Sequence, residues 1–299
     1  MWEIVRLAAG YLIILFVVSS MLSIGLTQKA SRIVSHLRNH SFLITMLLVN
    51  LIVVPAVMIF ALRLVSVAPH YETGLILFGL AAGAPFLIHL AKTSQRDLSL
   101  ATTVLMVLMV GSVVTMPILL PRLIAGVSVS AWEIVHPMLL QIVLPLVIGL
   151  LILQFFESFA AVIQPWVGKI SNIALYASII AIFVGYSSAF SDPDLWVGLA
   201  VGLVVLVLAF FIGYMIGDGH DHLKDVGGLG TAQRGTASAM IVASSAFDDP
   251  RVLLIITMLN TLAVVLLILA AKWLSPDNRF SFLTHVAADS PKSRATSDA

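Results

Sequence analysis

Apolar residues run along this chain in long blocks. Nine stretches are almost wholly apolar, at 7–27, 41–63, 74–92, 98–121, 133–154, 170–190, 195–217, 226–247 and 251–273. The hydrocarbon core of a bilayer needs roughly 20 such residues per helix. Transmembrane barrels instead show ~10-residue alternating segments. Backbone in lipid must satisfy its own hydrogen bonds, so continuous apolar runs are helices. The pattern predicts an all-α, polytopic membrane protein with nine transmembrane helices. Asp97 is placed to cap the fourth, and Asp248-Asp249-Pro250 to cap and start the ninth. Pro55, Pro85, Pro117 and Pro145 fall inside runs, where each removes a backbone donor and should kink or interrupt its helix.

Composition agrees. Of 299 residues, 60% are hydrophobic and only 10% charged, against roughly a quarter charged in soluble domains; mean hydropathy is +1.07. A net charge of +1 offers nucleic acid no basic face. With no cysteine, disulfides, thiolate metal sites and thiol nucleophiles are excluded. The first run is too long for a signal-peptide core and is read as a span.

Basic residues set the expected orientation. One side of nine alternating spans holds Lys29, Arg32, Arg38, Lys92, Arg96, Lys169, Lys224, Lys272 and the tail's Arg279, Lys292 and Arg294. The other holds only Arg6, Arg63, Arg122 and Arg251. The positive-inside rule then puts the N-terminus outside and the C-terminus in the cytosol, in a bacterial inner or plasma membrane.

An internal repeat appears at an offset of 152, which lays "GAPFLIHLAKTSQRDLSLATTVLM" over "GTASAMIVASSAFDDPRVLLIITM". Each copy is a span, a turn carrying an Asp, and another span. Spans three and eight then cross in opposite directions, giving inverted repeats with discontinuous crossing helices, a plan common in secondary transporters. The expected organisation is a first membrane repeat at 1–124, a linking helix plus second inverted repeat at 125–274, and a disordered cytosolic tail at 275–299.

Arg234 is the candidate for chemistry. A mid-span Arg costs roughly 2.5–3.5 kcal/mol on insertion scales, and no other run carries a charge near its middle to pair with it. Backbone carbonyls, a wet cavity or an anionic ligand remain. It is thus either part of a substrate site at a broken helix or a structural Arg bonded to carbonyls at a helix crossing. Gln233, Thr231, Thr236 and Ser238 surround it with neutral donors and acceptors, and each alone also suits helix packing. Gly230 and Gly235 are the expected break in this run, Gly83 and Pro85 that in the third. Thr102 and Thr103 can bond their own helix. Asn50, Gln141, Asn172 and Asn260 read as interhelical hydrogen-bonding amides. The 217–225 stretch "GDGHDHLKD" offers metal-ligand atoms in no defined pattern, and residues 28–40 have the spacing of an interfacial helix. No hydrolase elbow, zincin pair or phosphate loop is present, which disfavours an enzyme.

"MLSIGLTQ" (21–28), "GAPFLIHLAK" (83–92) and "GTAQRGTASAMIVASSAFDDP" (230–250), in this order of spans, resemble the bile acid/sodium symporter family of organic anion transporters. The resemblance implies two inverted repeats whose unwound helices cross at mid-membrane, with spans three and eight as the crossing pair. It also implies sodium as the one candidate cofactor, with Gln233, Thr102 and Thr103 as its candidate ligands. Family members carry a Glu in the second crossing helix and a Gln four residues later; Gln233 and Ala237 stand there. Their Ser-Asn pair falls near Ala84-Pro85. The expected function is a secondary active transporter of a small organic anion by alternating access, with Arg234, Gln233, Thr231, Thr236 and Ser238 binding substrate. The expected partners are the anion and the lipid bilayer, and no nucleic acid. The alternative is a membrane ligand sensor or structural protein on the same architecture.

Overall fold

In the computed structural model, residues 2–27, 40–124, 131–185, 187–217, 221–247 and 249–276 are described. The expected interfacial helix at 28–40 and the tail from 277 onward lie outside them, as do Asp218, His220 and Asp248 apart from His40 at a helix start.

All regular structure among the described residues is helical. In order the helices are α1 (Trp2–Gly25), α2 (His40–Leu48), α3 (Val54–Leu64), α4 (Pro69–Leu80), α5 (Phe86–Thr93) and α6 (Leu98–Leu123). Then come α7 (Ala131–Met138), α8 (Leu144–Phe155), α9 (Glu157–Gly185), α10 (Pro193–Ile216), α11 (Asp221–Ala232), α12 (Thr236–Ala246) and α13 (Arg251–Leu274). Among the described residues six continuous rods are long and apolar enough to cross a membrane: His40–Leu64, Leu98–Leu123, Trp132–Phe155, Glu157–Gly185, Pro193–Ile216 and Arg251–Leu274.

The third and eighth runs are not single rods. Each is a pair of short helices, α4 with α5 and α11 with α12, parted by residues 81–85 and 233–235. Gly83 and Pro85 lie in the first gap and Gly235 in the second. Gly230 does not; it sits inside α11, three residues before the break begins. There it admits close neighbours: a Cβ would lie 3.3 Å from Leu87 Cδ2 and 3.5 Å from Met46 Cε.

The other prolines act in two ways. Pro117 is carried inside unbroken α6. Pro55 and Pro145 each follow a single π-turn, Val49–Val53 and Leu139–Val143, that joins α2 to α3 and α7 to α8. A proline lacks the N–H that would close the next turn, and one wider turn absorbs the mismatch. The stretch 155–169, between the fifth and sixth apolar runs, is also helical from Glu157, and only Phe156 separates α8 from α9. Asp97 caps α6 as expected, accepting from the Ser99 and Leu100 amides at 2.8 and 3.2 Å.

Helices α1, α8 and α9 pack on one another as one group. The others gather around the two interrupted segments. There α4 lies against α12 and α5 against α11, so the halves are exchanged across a central crossing.

Candidate functional site at the helix crossing

The two breaks meet. Ala82 and Arg234 form an isolated antiparallel bridge, and the Gly235 amide donates to the Ala81 carbonyl at 2.9 Å. Gly83 has φ +78°, a conformation that disfavours any Cβ, and a Cβ there would press on the α6 backbone at Leu105, Leu108 and Met109. A Cβ on Gly235 would lie 2.8 Å from the Ala82 carbonyl oxygen. The glycines therefore allow the close approach that the bridge needs. Ser112 of α6 locks the first break: its hydroxyl accepts from the Ala82 amide at 2.7 Å and donates to the Ala82 carbonyl at 2.9 Å. Sequence reasoning missed Ser112, because one serine on an apolar helix carries no distinguishing signal.

Arg234 is 1% exposed. Its Nε donates to the Phe78 carbonyl at 3.4 Å. Nη1 donates to Asn50 Oδ1 at 2.8 Å and to the Thr231 carbonyl at 3.3 Å. Nη2 donates to the Asn50 carbonyl at 3.1 Å and to the Gly79 carbonyl. A guanidinium has five N–H donors, and five oxygens receive them.

Each oxygen is available for a physical reason. Phe78 and Gly79 lie in the last turn of α4, and Thr231 in the last turn of α11, where carbonyls have no helical partner. Asn50 O is free because the Val54 amide bonds Val49 in the π-turn, while residue 55, next in that pattern, is proline. Two helix C-termini, each worth roughly half a negative charge, thus face the guanidinium. Asn50 is held in turn: its Nδ2 donates to the Met46 carbonyl at 2.9 Å and to Thr231 Oγ1 at 3.1 Å. Among the described residues no carboxylate pairs with Arg234: Arg96 pairs with Asp225 and Arg251 with Asp249, and His70 stands 3.9 Å from Asp249. Of the two roles left open for this residue, carbonyl bonding at a crossing is the one its hydrogen bonds display. Asn50 is its chief side-chain partner, and Pro55 five residues on was the available signal.

The other named residues gather around it. Thr231, Gln233, Thr236 and Ser238 are all buried. Thr236 donates to Asn260 Oδ1 at 2.5 Å, tying the start of α12 to α13. Gln233 is 2% exposed, and among the described residues its Oε1 has no hydrogen-bond partner. Thr102 and Thr103 donate to their own helix, to the Leu98 and Ser99 carbonyls at 2.8 and 3.0 Å.

Both ends of the crossing pair are pinned. At one, Arg96 Nε donates to the fully buried Asp225 carboxylate at 2.6 Å, and its Nη2 to the Leu274 carbonyl at 3.1 Å. Asp225 of the candidate metal-ligating stretch is thus engaged by an arginine. At the other end Tyr71 donates to Asp192 at 3.1 Å, and His70 Nδ1 lies 3.9 Å from Asp249. Burial alone would raise the Asp249 carboxyl, but the Arg251 guanidinium and amide bonded to it hold it below its ordinary range.

Interrupted helices that meet inside an apolar bundle, with helix ends aimed at one point, are an arrangement of secondary transporters. The family profile described as Sodium Bile acid symporter family matches residues 12–192. That is more than half of the chain, and the protein belongs to this family of sodium-coupled membrane transporters. Residues 221–246, with the second break, lie beyond the matched span. A search of curated proteins returns no match.

Proposed function

We propose that the chain is a secondary active transporter that moves a small organic anion by alternating access, with the crossing at Ala82 and Arg234 as its substrate site. On this reading the interrupted runs span the membrane with the six long helices and α1, making nine crossings in two inverted repeats. The supporting observation is the meeting of two helix breaks around a guanidinium that no carboxylate neutralises.

A charge balance gives the sign of the substrate. Arg234 contributes +1. The C-termini of α4 and α11 contribute roughly −0.5 each, and the N-termini of α5 and α12, which also begin at the breaks, roughly +0.5 each. The crossing keeps a net charge of about +1. Arg234 attracts an anion through this field while its N–H groups hold the crossing. The first-turn amides of α5 and α12, with Gln233, Thr236 and Ser238, would give the anion its direct contacts.

An Arg234→Ala variant is expected to lose uptake, but it also loses five hydrogen bonds. Asn50→Asp is a second probe. It keeps the oxygen that accepts from Nη1 and adds a negative charge, while giving up the Nδ2 donor to the Met46 carbonyl and Thr231 Oγ1. Two unit charges ~4 Å apart interact by about 4 kcal/mol at an effective dielectric near 20, and about 1.4 kcal/mol is already tenfold. Uptake of carboxylates, sulfonates and bicarbonate into proteoliposomes, normalised to folded protein, should fall at least about tenfold. Undiminished uptake in Asn50→Asp would remove the charge from the mechanism.

A further inference from the structure

The family couples transport to sodium, so the crossing can be tested for whether it suits a free cation. The oxygens around Arg234 are the donor set such an ion takes. In secondary transporters, unwound carbonyls and half-helix C-terminal ends coordinate the coupling cation. Here Phe78 O and Gly79 O end α4, Thr231 O ends α11, and Asn50 adds its carbonyl and amide oxygens. The oxygens suit a cation, but the space is filled. The guanidinium bonds all five, and a sodium ion brought to the same oxygens would face a unit positive charge in direct contact.

We propose that Arg234 is a tethered resident cation in an oxygen cage at the crossing. This cage therefore takes no exchangeable alkali ion, and its positive charge stays with the protein through the transport cycle. The cage follows from the backbone. Two helix C-termini and a proline-freed carbonyl converge, and buried convergent carbonyls need a cation or equivalent donors. A covalent cation meets that need at any external sodium concentration. The inference deepens the crossing-site reading above by assigning the cage's occupant, and its test needs no flux.

The test uses the full chain, purified in detergent. Melting temperature is recorded for the wild type, Arg234→Ala and Asn50→Ala in sodium, choline and guanidinium chlorides at matched ionic strength, with guanidinium in the low millimolar range. A ligand of the folded state raises apparent stability saturably. Wild type should melt alike in all three salts. Arg234→Ala should melt lower and recover by a saturable shift of several degrees in guanidinium, with a smaller shift in sodium and none in choline. Recovery of folded Arg234→Ala only when guanidinium is present during purification counts as the same result. Two results overturn the proposal. One is an Arg234→Ala variant that behaves identically in all three salts, including failure to fold in each. The other is a saturable, sodium-specific stabilisation of the wild type that Asn50→Ala removes. Absence of flux in proteoliposomes would reject the transporter reading and leave these results standing.

Discussion

Asn50 and Thr231 show how unequal two neighbouring polar side chains can be. Asn50 Oδ1 accepts from the charged Nη1 of Arg234, whereas Thr231 Oγ1 accepts only from the neutral Asn50 amide. Hydrogen bonds to charged groups contribute about 1.5–3 kcal/mol, and neutral ones about 0.5–1.5 kcal/mol. Asn50→Ala also strands a buried charged donor. Thr231→Val leaves the backbone carbonyl that Arg234 uses in place. Thermal unfolding of the two variants should therefore rank Asn50→Ala as clearly the more damaging. An equal loss, or the reverse order, would mean that Arg234 finds another acceptor and that the cage is loose. Asp249 supplies a pH-dependent contribution of its own. Its carboxyl is depressed by Arg251, so the pair stabilises above the ordinary carboxylate value of 3.8 and weakens as pH falls below it. Asp249→Asn should lower stability modestly at neutral pH, where the pair contributes, and converge on the wild type in acid, so that the acid limb of a stability–pH profile is flatter.

The interrupted segments are joined at three levels: Arg96–Asp225 at one end, the Ala82–Arg234 bridge in the middle, and His70–Asp249 at the other end. Breaking the fully buried member should cost most. Removing one partner of such an ion pair typically costs about 3–5 kcal/mol, so Asp225→Ala should unfold well below the wild type in a melting assay. Gly83→Ala probes the middle. It must place a Cβ at φ +78° against the α6 backbone, and left-handed geometry alone costs about 1–2 kcal/mol. Gly10→Ala, which meets nothing within 4 Å, is the matched control and should melt like the wild type. Much at this scale was legible in the sequence. Long apolar runs give helices because lipid leaves the backbone no other partner, and Gly83, Pro85 and Gly235 mark the breaks. The join between the breaks was not legible. It depends on which carbonyls point inward, and Asn50, Ser112 and Asp225 acquire their roles only when distant runs are brought together. Gly230 misled because a helix-weakening residue and a close-packing residue look identical without a neighbour.

At the scale of the whole molecule, the proposed anion site at the crossing would require a path to it from each side in turn. That makes the direction of the chain in the membrane a functional quantity. Helices α1, α8 and α9 form one packed group, and the interrupted segments sit within the other. Alternating access in such a body is a rocking of one group against the other around a fixed site. The basic-residue asymmetry then predicts which end opens to which compartment. Arg122, at the exposed end of α6, falls on the side with four basic residues, and Lys272, at the exposed end of α13, on the side with eleven. Because the chain contains no cysteine, single cysteines can report orientation without a background to remove. Arg122→Cys in intact cells should react with a membrane-impermeant maleimide added outside. Lys272→Cys should react only after the membrane is opened. If Lys272→Cys labels in intact cells while Arg122→Cys stays protected, the chain is inserted the other way. The end pinned by Arg96–Asp225 would then face outward.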